Sequence, residues 1–469
     1  MVQYNEENIR RLAPFIAKSF QLGKEQKYNE AYQTLLPLFE AKEQLSYFEE
    51  PCGWAIYRYL KQNEETLSSL DIRKALSYYL SFASCKPSIL HSCMMIQAVN
   101  LEKNHENDFR FIDFCLMWHL DSLRDEDFEL RTLTSTDGRN MEFNSLAEGI
   151  VTRLYKEMES RHTVDYVDKL LPFFILVRER CPQNKFISRY IAKLYYWGGH
   201  VEKAICEYKT ALLTHPDWYI WKDLGDVVED EDLRISCYCK ALTMNGQEDF
   251  IGELRLNLAS LLIAKNPEQA AYEIDKYMST YQKNQWRICG DAYIMQHKLS
   301  GINPSDNAKI FYSSNVSKAE EFAYSEIPTV EMTYIGTEKN KAGKDRAKLV
   351  NKQRNIVIRS SVFPMLRKAA AGDMFVVKLH KEDNRYIILS IHPSGKRIAL
   401  ESNTKSEKIE VVGGRVSLPA SGDFCFVDRK YFVSPKIQSV AHLQEGQIVK
   451  VKVKQMPDGK WRVISIINE

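Results

Sequence analysis

The chain has 469 residues, 44% hydrophobic and 27% charged, with 20 Gly and 15 Pro. That mix belongs to ordinary globular domains and excludes collagen-like and low-complexity classes, and the length suits two to four such domains. The net charge of +2 hides an asymmetry: residues 328–469 hold 26 Lys and Arg against 14 Asp and Glu, net +12, which leaves 38 against 48, net −10, in residues 1–327. An acidic front joined to a basic back predicts two parts with different partners, and the basic part is where nucleic acid would bind. No stretch approaches the ~20 apolar residues of a membrane helix. The polar, acidic opening Met1–Glu7 predicts no secretory leader. Ten cysteines between Cys52 and Cys425 contain no C-x-x-C pair, so neither a zinc site nor a redox dithiol is expected. Unpaired thiols at this density predict a reducing, cytoplasmic setting.

Segments such as Ile9–Leu22, Asn29–Leu45 and Ser145–Arg161 place apolar residues at three- and four-residue spacings, and helices are expected through residue 300. Within them a unit recurs. Lys185–Pro216 carries Ala192, Tyr195, Ala204, Tyr208 and Ala211, with Pro216 just beyond. Trp221, Leu224, Gly225, Tyr238 and Ala241 follow, with a shorter interval between the two helices. Weaker copies open at Phe20–Gly23 with Tyr28 and Ala31, and at Leu256–Tyr277 with Ala259, Ala270 and Ala271. Small residues let paired helices approach closely, while rings fill the gap to the next pair. These positions resemble the tetratricopeptide (TPR) repeat, which implies an irregular TPR-like α-solenoid over residues 1–300 with a groove for an unidentified protein partner. Cys52–Arg131 reads as helical without an alignable repeat, and Thr132–Arg139 as a loop. Gly301, Pro304 and a run of Ser, Asn and Asp predict a linker at 301–325.

Beyond it the period changes to two. Val449, Val451 and Val453 alternate with Lys450, Lys452 and Lys454, Pro457-Asp458-Gly459 supplies a turn, and Trp461–Ile466 returns as the partner strand. Gly372–Leu379, Asp383-Asn384 and Tyr386–Ile391 form a twin of that hairpin. Two related small β-domains are therefore expected, at 326–394 and 395–469. In the first, Thr329–Ile335, Arg346–Val350, Asn355–Ile358, Asp373–Leu379 and Tyr386–Ile391 read as five strands.

In the second, Ser421-Gly422-Asp423-Phe424-Cys425-Phe426-Val427, Lys430-Tyr431-Phe432-Val433-Ser434 and Leu443-Gln444-Glu445-Gly446-Gln447 resemble the two ribonucleoprotein motifs and the last-hairpin segment of a cold-shock domain, an oligonucleotide/oligosaccharide-binding (OB) barrel. The resemblance implies a platform for unpaired bases built from Phe424, Phe426, Tyr431 and Phe432, with Arg415, Lys430, Lys450 and Lys452 near the phosphates. Leu418 and Ser434 depart from the family's aromatic and histidine. The alternative reading has the same rings filling the barrel. The first domain lacks such a motif, with Ala347, Lys348 and Leu349 in its place. It carries a basic run, including Lys341, Lys344, Arg346 and Lys348, that is either a solvated loop or a phosphate-contacting one.

No G-x-x-x-x-G-K-[ST], H-E-x-x-H or G-x-S-x-G occurs, so no catalytic, cofactor-binding or metal residue is expected and the chain does not read as an enzyme. The whole arrangement, a multidomain α-then-β chain with two OB/cold-shock-like β-barrels after the solenoid, resembles accessory proteins of bacterial TOTE conflict systems. That resemblance implies anti-phage defence. The expected function is a non-catalytic cytoplasmic adaptor for single-stranded nucleic acid, RNA favoured over DNA, with no membrane partner. The alternative is a protein-interaction scaffold whose barrels do not bind nucleic acid.

Overall fold

The structure is a computed structural model that describes residues 6–104, 110–135, 137–244, 247–340, 342–359, 363–382, 385–398, 409–419, 424–456 and 460–467. The chain divides into two compact units, Met1–Pro328 with His380–Leu389, and Thr329–Leu379 with Ser390–Glu469. The layout is α then β.

The first unit begins with helices α1 (Glu6–Lys24), α2 (Tyr28–Glu40), α3 (Glu49–Gln62), α4 (Ser69–Phe82), α5 (Ile89–Asn104) and α6 (Phe111–Trp118). Part of the expected loop at 132–139 is strand: β1 (Arg131–Thr134) pairs antiparallel with β2 (Asn140–Phe143). Four-residue strands are too short for a periodicity reading. Next come α7 (Leu146–Arg161) and α8 (Val167–Arg180). Ser145 starts α7 by a reciprocal cap: Glu148 N–H donates to its Oγ (3.1 Å), and Ser145 N–H donates to Glu148 Oε2 (2.7 Å).

Three consecutive helical hairpins follow: α9 (Lys185–Trp197) with α10 (Val201–Thr214), α11 (Trp218–Val227) with α12 (Glu231–Met244), and α13 (Gly252–Leu262) with α14 (Pro267–Lys283). The small positions act as the repeat pattern requires. Ala192, Ala204 and Ala211 are buried beside Tyr208. A Cβ at Gly225 would lie 2.6 Å from Tyr238 Cε1, so only glycine lets α11 and α12 come this close. Two apolar cores result, one running from Leu12 to Leu194 and one from Ala192 to Tyr324.

The stretch expected as a linker is folded. After α15 (Gly290–Lys298) it forms α16 (Ala308–Ser314) and α17 (Ser317–Ala323), which pack on α12. Tyr312, Ala319 and Tyr324 are buried in the second core, and the Tyr312 hydroxyl donates to the buried Glu273 carboxylate of α14, which also pairs with Arg255. Two seven-residue helices show too little of the 3.6 period to be read from polar sequence. No helix among the described residues is long and apolar enough to cross a membrane.

The second unit holds two β modules of the same plan. In the first, β3 (Thr329–Lys339), β4 (Asp345–Val350), β5 (Asn355–Arg359), a 3-10 turn (Pro364–Arg367), β6 (Asp373–Glu382) and β7 (Arg385–Arg397) form a sheet ordered β5-β4-β3-β6-β7. Among the described residues it is an open sheet rather than the expected barrel. Residues His380–Leu389 of the β6–β7 hairpin group with the helical unit, and Leu389 is buried in its second core. The second module, β8 (Ile409–Ser417), β9 (Cys425–Val427), β10 (Tyr431–Val433), α18 (Pro435–Ala441), β11 (Ile448–Gln455) and β12 (Trp461–Ile467), closes as β10-β12-β11-β8-β9. Closure comes from a parallel pairing of β10 with β12. Numbered from one within the module, the circuit is 1-2-3-5-4-1, a five-stranded Greek-key barrel of the OB kind.

Candidate nucleic-acid interface

The barrel is lined by slim side chains. Val416, Cys425, Val427, Val433, Val449, Val451, Val453 and Val463 are buried, and burial pushes the Cys425 thiol up from its ordinary pKa. Strand alternation then sets the opposite face: flanked by inward Cys425, Val427, Tyr431 and Val433, Phe426 and Phe432 point outward. They sit directly across the β9–β10 ladder from one another, and their ring centroids are 5.8 Å apart. Phe424 completes a triangle, 5.8 Å from Phe426 and 5.6 Å from Phe432. All three rings are half-buried, each against the other two.

The tight β9–β10 turn holds this face in place. Asp428 and Arg429 adopt positive φ (52° and 54°). Asp428 Oδ1 accepts the Arg415 N–H (2.8 Å), while Asp428 N–H donates to the Arg415 carbonyl (2.9 Å). A Cβ at Gly414 would lie 2.5 Å from that carboxylate, so glycine is required where β8 meets the turn.

Several expected residues fall elsewhere. Tyr431 belongs to the core, 9% exposed with its ring 6.2 Å from Trp461, because adjacent strand residues face opposite ways and Phe432 takes the outside. Lys430 is exposed in the turn, its ammonium 5.1 Å from the Tyr431 ring. Arg415 is exposed on β8. Lys450 and Lys452 are exposed on β11, paired with Gly413 and Val411, and are separated from β9–β10 by β8 on one side and β12 on the other. They are not gathered at the rings.

The cations nearest the platform were not among the expected ones. Arg462, which pairs with Phe432 across the parallel closure, places its guanidinium 5.9 Å from that ring. Arg462, Lys454 and Met456 line a groove of about 370 Å³ beside Phe432 and Ser434. Two-residue alternation in Trp461–Ile466 signals that Arg462 faces away from Val463. Which strand it would neighbour depends on the closure, which no local spacing encodes.

The first module repeats this frame with different chemistry. Gly372 (φ 99°) donates its N–H to the Tyr334 carbonyl of strand one, and Gly446 (φ 76°) donates its N–H to the Val416 carbonyl of strand one, at 2.8 and 2.9 Å. Tyr334 pairs with Leu349, and Val416 with Val427. In that common register Arg346 and Lys348 stand where Phe424 and Phe426 stand, and Val357, across from Lys348, stands where Phe432 stands. Arg346 and Lys348 are half-buried, and the Arg346 Nε is shielded from solvent without a hydrogen-bond partner. Lys344 is exposed in the β3–β4 loop, where its N–H donates to Asn340 Oδ1 (2.8 Å). Lys341 lies outside the described residues.

A closed OB-type barrel with an outward aromatic cluster thus defines the candidate site. Residues 185–319, from the first residue of α9 into α17, match the family model of a domain of unknown function (DUF7017). That match spans the three helical hairpins and reaches into the stretch expected as a linker. No curated protein matches the chain.

Proposed function

We propose that the chain is a non-catalytic cytoplasmic adaptor whose second β module stacks the bases of single-stranded nucleic acid on Phe424, Phe426 and Phe432. The supporting observation is that these three rings cluster outside the barrel core, on the strand-two and strand-three face that OB barrels use for oligonucleotides. Half-exposed aromatic rings gain from being covered and taken out of water, and an unpaired base does so at about 1–3 kcal/mol each. Arg462, Lys454 and the first module's Arg346 and Lys348 supply charge for phosphates. RNA is favoured over DNA in this reading on the cold-shock resemblance, and the helical repeats hold a protein partner. The anti-phage setting is what the resemblance to TOTE accessory proteins implies.

The test is fluorescence anisotropy of the full chain with labelled oligouridine, oligothymidine and a duplex, each of about a dozen nucleotides. Saturable binding to single strands, tighter for uridine and weakest for the duplex, is expected. Absence of binding to both single strands at low salt would move the assignment to the scaffold, in which the same rings meet protein.

A further inference from the structure

A cleft of about 640 Å³ opens among α1, α2 and α3, far in sequence from any residue of the nucleic-acid reading. Its floor holds the small buried side chains Ala31 and Ala55, with the exposed Ala17 also lining it, so the helices meet with a gap between them. Phe20, Tyr28, Phe48 and Trp54 wall that gap. Arg58 is half-buried at one end. Its guanidinium lies 6.0 Å from the Tyr28 ring and 5.9 Å from the Trp54 ring, and neither a hydrogen bond nor an ion pair engages it among the described residues. Gly23 leaves room for it, since a Cβ there would come within 3.1 Å of Arg58 Nη1. A partly desolvated cation without a counter-ion is costly; Arg189 and Arg255, more deeply packed in the same unit, each have a carboxylate.

We propose that this cleft binds a small aromatic anion, its ring body between the walls and its carboxylate, sulfonate or phosphate on the Arg58 fork. The volume lies within the range of small-ligand pockets. The guanidinium offers paired donors to such a group. Glu50, eight residues earlier on α3 and so about 12 Å away along the axis, is exposed at the other end of the cleft and accepts a hydrogen-bond donor on the far side of the ligand.

The probes are 1-anilinonaphthalene-8-sulfonate and its uncharged analogue N-phenyl-1-naphthylamine, titrated by fluorescence into the full chain. Ala17 is exposed, so Ala17→Trp should fill the cleft without unfolding α1 and remove saturable binding of both probes. Arg58→Gln should weaken the sulfonate about tenfold or more and leave the neutral probe within about twofold. Equal loss of both probes in Arg58→Gln, or loss of neither, would overturn the assignment. So would binding that survives Ala17→Trp. Oligouridine binding should be the same in Arg58→Gln as in the unmodified chain, which keeps this outcome separate from the fate of the nucleic-acid reading.

Discussion

The two β modules share one hydrogen-bonded frame and differ at the positions that frame leaves facing out. Inward, Leu349, Ala347 and Ile356 of the first answer to Val427, Cys425 and Tyr431 of the second, and all six are buried. Outward, Arg346, Lys348 and Val357 answer to Phe424, Phe426 and Phe432. The inward set specifies the sheet, so it stays apolar in both modules. The outward set differs because no core packing depends on it: the second module has three rings there, and the first has two cations and a valine. On this reading one module stacks bases and the other neutralises phosphates.

The largest effect should come from removing the rings. Phe426→Leu with Phe432→Leu keeps apolar side chains and leaves the valine core untouched, so the far-ultraviolet spectrum and melting temperature should hold. Affinity for oligouridine should fall by about 2–6 kcal/mol if both rings stack a base. The slope of log affinity against log salt should stay the same, since it counts phosphates. A variant that unfolds would return the rings to the core. Next, Arg346→Gln with Lys348→Gln should reduce the steepness of that slope by up to about 1.4, at roughly 0.7 per phosphate on a single strand. An unchanged slope would remove the first module from the interface. A smaller loss, about 0.5–1 kcal/mol, is expected for Arg462→Gln, which leaves the Phe432 ring in place without its cation. Tyr431→Phe should leave oligouridine affinity unchanged, because that ring faces the core. A measurable loss would contradict the assigned face.

The sequence carried more of the frame than of the face. Alternating Val and Lys in 449–454 and the paired Gly372 and Gly446 made both hairpins legible, and the glycines proved to make the same strand-one hydrogen bond. Alternation likewise tied Phe424 to Phe426. It could not say whether that row faced in or out, since either is compatible with period two. Volume bears on it: a five-stranded barrel already filled by seven valines, Cys425, Leu443 and Tyr431 has no room for three phenylalanines. The same alternation rules out placing Tyr431 and Phe432 on one face. Arg462 and Lys454 reach the site only through closure of β12 on β10, a contact between strands far apart along the chain. In the helical unit, Ala and Gly at repeat spacing announced α9 to α14. The short helices α16 and α17 carry Ser313, Ser314 and Ser317 and are bordered by Asn307 and Asn315, which announced a linker, and only Tyr312 and Tyr324 in the assembled core show otherwise.

The most direct measurement is photocrosslinking of the full chain to oligouridine bearing 5-iodouracil, with the adducts located by mass spectrometry. Stacking requires a ring in contact with the base face, so adducts should concentrate on Phe424, Phe426 and Phe432 and disappear in the double leucine variant. Adducts centred on the Lys450–Lys452 strand, or on the helical hairpins of 185–319, with the three phenylalanines unmodified, would contradict the platform.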